Sequence, residues 1–121
     1  MDINKFYKAV LDADTAPIVL CDLNHTIVYM NDSAINRYGK QILGQSLLKC
    51  HNEKTAIVIN EIVDLFKKDI NNNIVYESRN DEENKDVYIV ALRDEDKTLI
   101  GYYEKHEYRT NETIDFYKIK K

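Results

Sequence analysis

APIVLCDLNHTIVYMNDSA, residues 16–34, decides how the rest of the chain is read. Pro17-Ile18-Val19-Leu20-Cys21 is a short apolar, β-branched run, the composition of a buried strand. Asp22-Leu23-Asn24-His25 is a turn, because Asp22 and Asn24 can fold their side chains onto nearby backbone N–H groups. Thr26-Ile27-Val28-Tyr29-Met30 then returns as a second strand, so the pair is a hairpin. A period of two places Ile27 and Tyr29 on one face and Val28 and Met30 on the other. Asn31 or Asp32 stands where a helix N-cap belongs, just ahead of Ser33-Ala34-Ile35.

Outward from this stretch the chain alternates short helices and strands. Asp2–Leu11 is amphipathic, with Ile3, Phe6, Tyr7 and Val10 at helical spacing, and Asp12–Thr15 breaks it. Asp32–Tyr38 makes barely two turns and ends at Gly39, read as a left-handed C-cap. Gln41–Gly44 is a second short turn closed by glycine. The longest helix runs from Asn52, its N-cap, to about Asp69, with Ile59, Ile62, Val63, Phe66 and Ile70 as its inward stripe. Three strands follow, Ile74–Arg79, Asp86–Arg93 and Leu99–Tyr108. Asp81-Glu82-Glu83 reads as a solvated hairpin tip. Ile114, Phe116, Tyr117 and Ile119 make residues 109–121 too apolar for a free tail, so it should pack on the domain or on a twin subunit. Two strands, several helices and three strands give an α+β fold, a five-stranded antiparallel sheet with helices over one face.

Composition narrows the function. The 121 residues suit one domain, and a net charge of −4 does not favour nucleic acid as a partner. No apolar run approaches the length of a membrane span and no signal-peptide pattern opens the chain, so a cytoplasmic protein without membrane partners is expected. Cys21 and Cys50 are read as free thiols in a reducing compartment.

The order of strand, Asp-Leu-Asn-His turn, Thr26–Met30 strand, Asn31 and short helix resembles the opening of a PAS domain. Gly44-Gln45-Ser46-Leu47-Leu48 is similar to the family's entry to its ligand-facing helix. Ala91–Gly101, ALRDEDKTLIG, is similar to its final hairpin. Leu47-Leu48-Lys49-Cys50-His51 most resembles the bacterial sensory subgroup with a "GkslldCH" signature. The resemblance implies an N-terminal helical cap over residues 1–15, a PAS domain over 16–108, and the tail. It implies a sensory and signalling module with a central pocket for a small ligand. Pocket candidates are Leu20, Ile27, Tyr29, Ile35, Leu47, Leu48, Ile59, Val63, Val75, Ile89 and Tyr103. An N-terminal helix in this family packs on the outer face of the sheet or against a second protomer, so a homodimer is expected, and a separate signalling protein is a further candidate partner. The alternative is a ligand-free module of the same fold that acts only by dimerisation or interaction.

Enzymatic chemistry is not expected. There is no Gly-rich phosphate loop, nucleophile elbow or metal-spaced His/Cys cluster. A cone-shaped isomerase fold would want a paired Asp and Tyr in a deep pocket, and none stands out. His25 reads as a surface turn residue. Tyr102, Glu104 and His106 share a strand face polar enough for solvent or a dimer contact. Cys50-His51 is the one metal-capable constellation: imidazole or thiolate at the pocket mouth suits iron, which makes heme a candidate cofactor with His51 or Cys50 as ligand. The bland reading makes Cys50 a small buried hydrophobe and lets His51 precede the helix. The family's usual heme histidine lies within the long helix, and Lys54–Lys68 contains none. The flavin-adduct subclass carries "GRNCRFLQ", where Leu47 here replaces the reactive cysteine, so a photochemical flavin is not expected.

Overall fold

Asn31 is wholly buried, and its side chain organises the first third of the molecule. The computed structural model describes residues 1–118. Their helices are α1 (Ile3–Ala13), α2 (Asp32–Tyr38) and α3 (Glu53–Lys68), with single-turn helices at Lys40–Ile42 and Leu47–Cys50. The strands are β1 (Val19–Asp22), β2 (Ile27–Met30), β3 (Ile74–Asn80), β4 (Lys85–Arg93) and β5 (Leu99–Tyr108). They form one five-stranded sheet in the order β2-β1-β5-β4-β3, antiparallel at every pairing. The α+β class, the strand count and the placing of helices over one face agree with the sequence reading.

The Asn31 amide works in both directions. Its Oδ1 accepts from the N–H of Ile18 and of Ala34, each at 2.9 Å, while Nδ2 donates to the carbonyls of Leu11 at 2.8 Å and Ala16 at 3.0 Å. One side chain thus caps α2, ends α1, shapes the linker and starts β1. Asparagine alone among side chains this short offers both an acceptor and an NH2 donor here.

The core lies between the inner face of the sheet and the helices. Val19 and Cys21 of β1, Ile27 and Met30 of β2, Ile89 of β4 and Tyr102 of β5 meet Ile59, Ile62, Val63 and Phe66 of α3. Gly101 is required where β1 crosses β5, because a Cβ there would stand 2.2 Å from the Cys21 carbonyl oxygen. Arg93 closes the far end of α3: its guanidinium donates to the Phe66 carbonyl at 2.8 Å and to the Asn73 side chain at 2.6 Å.

Several details depart from the expected ones. Ile27 and Met30 both face the core while Val28 is exposed, because the β1–β2 register shifts between Leu20 and Cys21. The extra residue breaks the period of two. Ile70 lies beyond α3 and is exposed rather than part of its stripe. Gly39 takes φ 88 and ψ 144, a positive-φ extended backbone and not a left-handed helical cap. α1 runs two residues further than read, to Ala13, and buries none of its residues; it contacts α2, and its Lys8 and Asp12 side chains meet Tyr29 of β2. Glu83 is not part of a free acidic tip, since Arg37 of α2 grips it through two bonds of 2.6 and 2.7 Å. In the tail Ile114, Phe116 and Tyr117 stand clear of the domain, and Ile119 lies outside the described residues.

Asn31→Ala should cost on the order of 3 kcal/mol, since two N–H donors and the Ala16 carbonyl lose this partner inside the protein while the Leu11 carbonyl keeps the Asp14 N–H. Asn31→Asp keeps the acceptor and loses the donors, so it should fall between wild type and alanine. Urea denaturation followed by circular dichroism checks both, and equal stability of the three proteins would contradict the role given to this side chain.

Candidate functional site

The segment before α3 is attached to the edge of β2 by backbone bonds. Ile27 N–H donates to the Gln45 carbonyl and Gly44 N–H to the Ile27 carbonyl, both at 2.9 Å, and Leu47 N–H donates to the His25 carbonyl at 2.8 Å. This added rung covers an otherwise open sheet edge and sets the Leu47–Cys50 turn over the inner face. The Ser46 side chain caps the turn through the Leu48 N–H, and Asn52 caps α3 through the Thr55 N–H. Cys50 and His51 are therefore held between two capped helical elements.

A cavity of about 90 Å³ opens there, lined by Val19, Tyr38, Ile42, Leu47, Cys50, His51 and Glu104. Val19, Ile42 and Leu47 make it apolar on one side, and Glu104 and His51 make it polar on the other. His51 Nε2 lies 2.9 Å from Glu104 Oε1, an ion pair that ties the helical turn to the central strand β5. The Glu104 carboxylate holds the His51 imidazole above its ordinary pKa, against the opposing effect of burial. Behind Glu104 lies His106, whose Nε2 is 3.9 Å from Oε2, and whose Nδ1 is buried without a hydrogen-bond partner. Burial, then the nearby Lys85 ammonium, push His106 down to about 4. Lys85 is itself buried and pairs with Glu83 at 3.3 Å, so a line of charge joins the cavity wall to Arg37 on α2.

A second polar group lies deeper. Tyr102 is fully buried, and its hydroxyl meets His25 Nδ1 at 2.7 Å, with the Cys21 thiol beside it. Burial pushes the Cys21 thiol up to about 12 and raises the Tyr102 phenol, so neither ionises readily. His25 turns inward from a positive φ of 65, in a turn whose N–H groups of Asn24 and Thr26 both bond Asp22 Oδ1.

The pocket candidates divide into three groups. Leu47, with Cys50 and His51, lines the cavity. Ile27, Ile59, Val63 and Ile89 are buried core, with Ile35, Leu48 and Val75 packed against it. Leu20, Tyr29 and Tyr103 are not pocket residues: they pair in one row, Tyr29 to Leu20 to Tyr103, that continues through Val90 to Ile74. That row lies on the outer face, opposite Cys21 and Tyr102, and the Tyr29 hydroxyl donates to Asp12 at the end of α1.

Tyr102, Glu104 and His106 face inward, not toward solvent, and His25 is part of that interior rather than a surface turn. Cys50 is exposed instead of packed, its thiol 3.7 Å from the Ser46 carbonyl. Val19, Tyr38, Ile42 and Glu104 are cavity residues outside the sequence-based candidates, and Glu104 is the charged one among them. The alternation of Tyr102, Glu104 and His106 was visible, but a carboxylate beside an imidazole reads as a wet face until a second histidine arrives from residue 51.

The site does not fit a porphyrin. Pockets for drug-sized ligands run to about 300 Å³ or more, and His51 Nε2, the atom that would bind iron, is engaged by Glu104. No group of three or more His, Cys, Asp or Glu side chains among the described residues is arranged to hold a metal ion. Among those residues no helix is long and apolar enough to cross a membrane.

No family model matches the chain, and no curated protein matches it in sequence. Solved structures do resemble it. The PAS domain of a protein from Colwellia psychrerythraea aligns with a TM-score of 0.65 at 19% identity, over 88% of this chain and 96% of that one. The PAS domain of BvgS from Bordetella pertussis gives a TM-score of 0.60 at 16% identity, over 92% and 89%. A sensory box sensor histidine kinase from Vibrio cholerae gives 0.56 at 14% identity, over 86% and 90%. At these identities the likeness is one of fold.

The two histidines give opposite pH dependences. His106, held below its ordinary 6.5, lends stability that is complete above that value and lost as pH falls toward about 4. His51, held above 6.5, lends stability that is complete below 6.5 and lost as pH rises through its raised value. His106→Leu should therefore escape a loss of about 2 kcal/mol that wild type suffers between about pH 6.5 and 5. Denaturant midpoints across that range check it, and parallel curves for the two proteins would contradict it.

Proposed function

We propose that this chain, which has the fold of a PAS domain, is a sensory module that responds to a small ligand in the cavity beneath the Leu47–Cys50 turn. One observation carries the reading: a partly apolar cavity lies at the point where His51 and Glu104 join that turn to the central strand. A ligand arriving there must accommodate or displace a contact between two elements, and differential affinity for two arrangements is what a sensor requires. The solved neighbours support a signalling role, since one of them is a sensor histidine kinase. The role is binding rather than catalysis. The Cys21 and Tyr102 protons are held firmly, and Cys50 has its thiol on a backbone carbonyl rather than on a base. We place the protein in the cytoplasm, in keeping with the two free cysteines.

The unburied stripe of α1 favours a homodimer as the working assembly. Phe6, Tyr7 and Val10 are exposed, and the outer sheet face carries the apolar row ending in exposed Ile74, beside exposed Tyr76. Each surface lacks an apolar cover among the described residues, and a two-fold pairing lets α1 of one copy cover the sheet of the other.

Filling the cavity should remove the response. Leu47→Trp places an indole where the ligand would sit, and should abolish ligand-induced thermal stabilisation while keeping the circular dichroism of wild type. Heme titrated into wild type should give no Soret shift, and a shift lost in His51→Ala would overturn the fit argument above. For the assembly, light scattering should show a dimer for wild type and a monomer for the Phe6→Glu/Val10→Glu double variant, with little change in melting temperature. A wild-type monomer would sink the dimer.

A further inference from the structure

The cavity is small enough for its size to define a ligand class. An apolar cavity of about 150 Å³ takes benzene, so about 90 Å³ holds a molecule of roughly four heavy atoms. The walls set the second constraint. Val19, Ile42 and Leu47 offer only apolar surface, so the body of the ligand is a short hydrocarbon. The polar end is asymmetric: Glu104 Oε1 is taken by His51 at 2.9 Å, whereas His106 stands 3.9 Å from Oε2, outside hydrogen-bond range. Oε2 takes no hydrogen bond from a described side chain, yet it is not sealed in as a buried orphan, so a donor entering the cavity can reach it.

Charge sets the third constraint. Glu104 is already paired with His51, and the next charges behind it are the buried Lys85 and the Arg37 guanidinium, which share Glu83. A carboxylate entering the cavity meets the negative charge of Glu104, and no cation in the lining is left to offset it; the Tyr38 hydroxyl is the one neutral donor there. An ammonium enters a site whose one carboxylate is already paired, with Lys85 and Arg37 beyond. A neutral molecule with one N–H or O–H avoids both costs and supplies the donor that Oε2 lacks. The unpartnered Nδ1 of His106 is a second sign that polar capacity in this interior exceeds what the chain itself satisfies.

We propose that the cavity takes an uncharged ligand of about four heavy atoms, its single hydrogen-bond donor on Glu104 Oε2 and its short hydrocarbon body against Val19, Ile42 and Leu47. This rests on the reading of the cavity as the ligand site. The hydroxyl or N–H donates to the carboxylate, and His51 keeps its place on Oε1. The same chemistry is met in a short alcohol and in a small N–H amide.

The test uses the whole chain labelled for amide NMR, titrated with matched probes at one pH and ionic strength. The probes are 1-propanol, N-methylformamide, propylammonium and propionate. A neutral donor, alcohol or amide, should shift the amide signals of Leu47 and Glu104 in a saturable way, with the millimolar dissociation constant expected of so small a molecule. Propylammonium and propionate should bind at least tenfold more weakly. Glu104→Leu removes the acceptor and should weaken the neutral probe by a similar factor, whereas Glu104→Gln keeps an acceptor oxygen and should retain most of it. Tighter binding of either charged probe, or unchanged binding in Glu104→Leu, overturns the ligand class while leaving the cavity as a site. No saturable shift with any probe in wild type, matched by no difference in Leu47→Trp, overturns the site itself and the proposal with it.

Discussion

Everything on the N-terminal side of the sheet depends on the buried amide of Asn31. Four backbone groups from Leu11, Ala16, Ile18 and Ala34 converge on it. Each lies at or near the end of an element where the regular hydrogen-bond ladder stops, although the Leu11 carbonyl also accepts from the Asp14 N–H. The arrangement explains how α1 is attached to the domain although none of its residues is buried. It is held at its C-terminal end, by Asn31 on the Leu11 carbonyl and by Tyr29 on Asp12, while its apolar stripe stays free. A helix fixed at one end and uncovered along its length is a different object from a cap lying on a sheet.

The elements that the sequence made legible are those set by local chemistry. Asn31 and Asn52 cap helices where side chains of that type precede an apolar run, and α2 and β5 have the expected bounds. The hairpin of β1 and β2 follows from β-branched runs flanking an Asx turn. Illegible were the places where one residue too many enters a strand pair. The shift between Leu20 and Cys21 turns Met30 into the core and leaves Val28 outside. No local preference of Val28 over Met30 announces it, because the bulge serves the pairing of β1 with both β2 and β5. Leu20 and Tyr103 face outward by simple alternation with buried Val19, Cys21 and Tyr102, and Tyr29 joins them in the same row.

The site was legible only in part for a related reason. Leu47, Cys50 and His51 announce a polar interruption before a long helix, and the cavity is there. Glu104 and His106 did not announce themselves, because the polarity of a strand face says nothing about what comes to meet it. His51 arrives from more than fifty residues away to pair with Glu104, and Lys85 arrives from the neighbouring strand. Once those partners are counted, His106 Nδ1 is the one fully buried side-chain polar atom among the described residues without a hydrogen bond. Charged groups are rarely so enclosed unless paired, and here the pairing is the means by which helical turn, sheet and α2 are connected.

The position of Glu104 in the sheet gives that connection its reach. β5 is the central strand, paired with β1 on one side and β4 on the other, so it joins the two halves of the sheet. Adjacent residues of β5 face opposite ways: Glu104 lines the cavity, and Tyr103 sits in the outer apolar row between Leu20 and Val90. Cavity and outer face are therefore separated by one peptide unit, not by a chain of packed side chains. A rotation of β5 that eased Glu104 away from His51 would tilt Tyr103 against its neighbours in the row at the same time. A close-packed interior transmits such a shift rather than absorbing it. The outer face also carries exposed Ile74 and Tyr76, so a displacement of Glu104 in the cavity is passed directly to the sheet face that bears exposed apolar side chains.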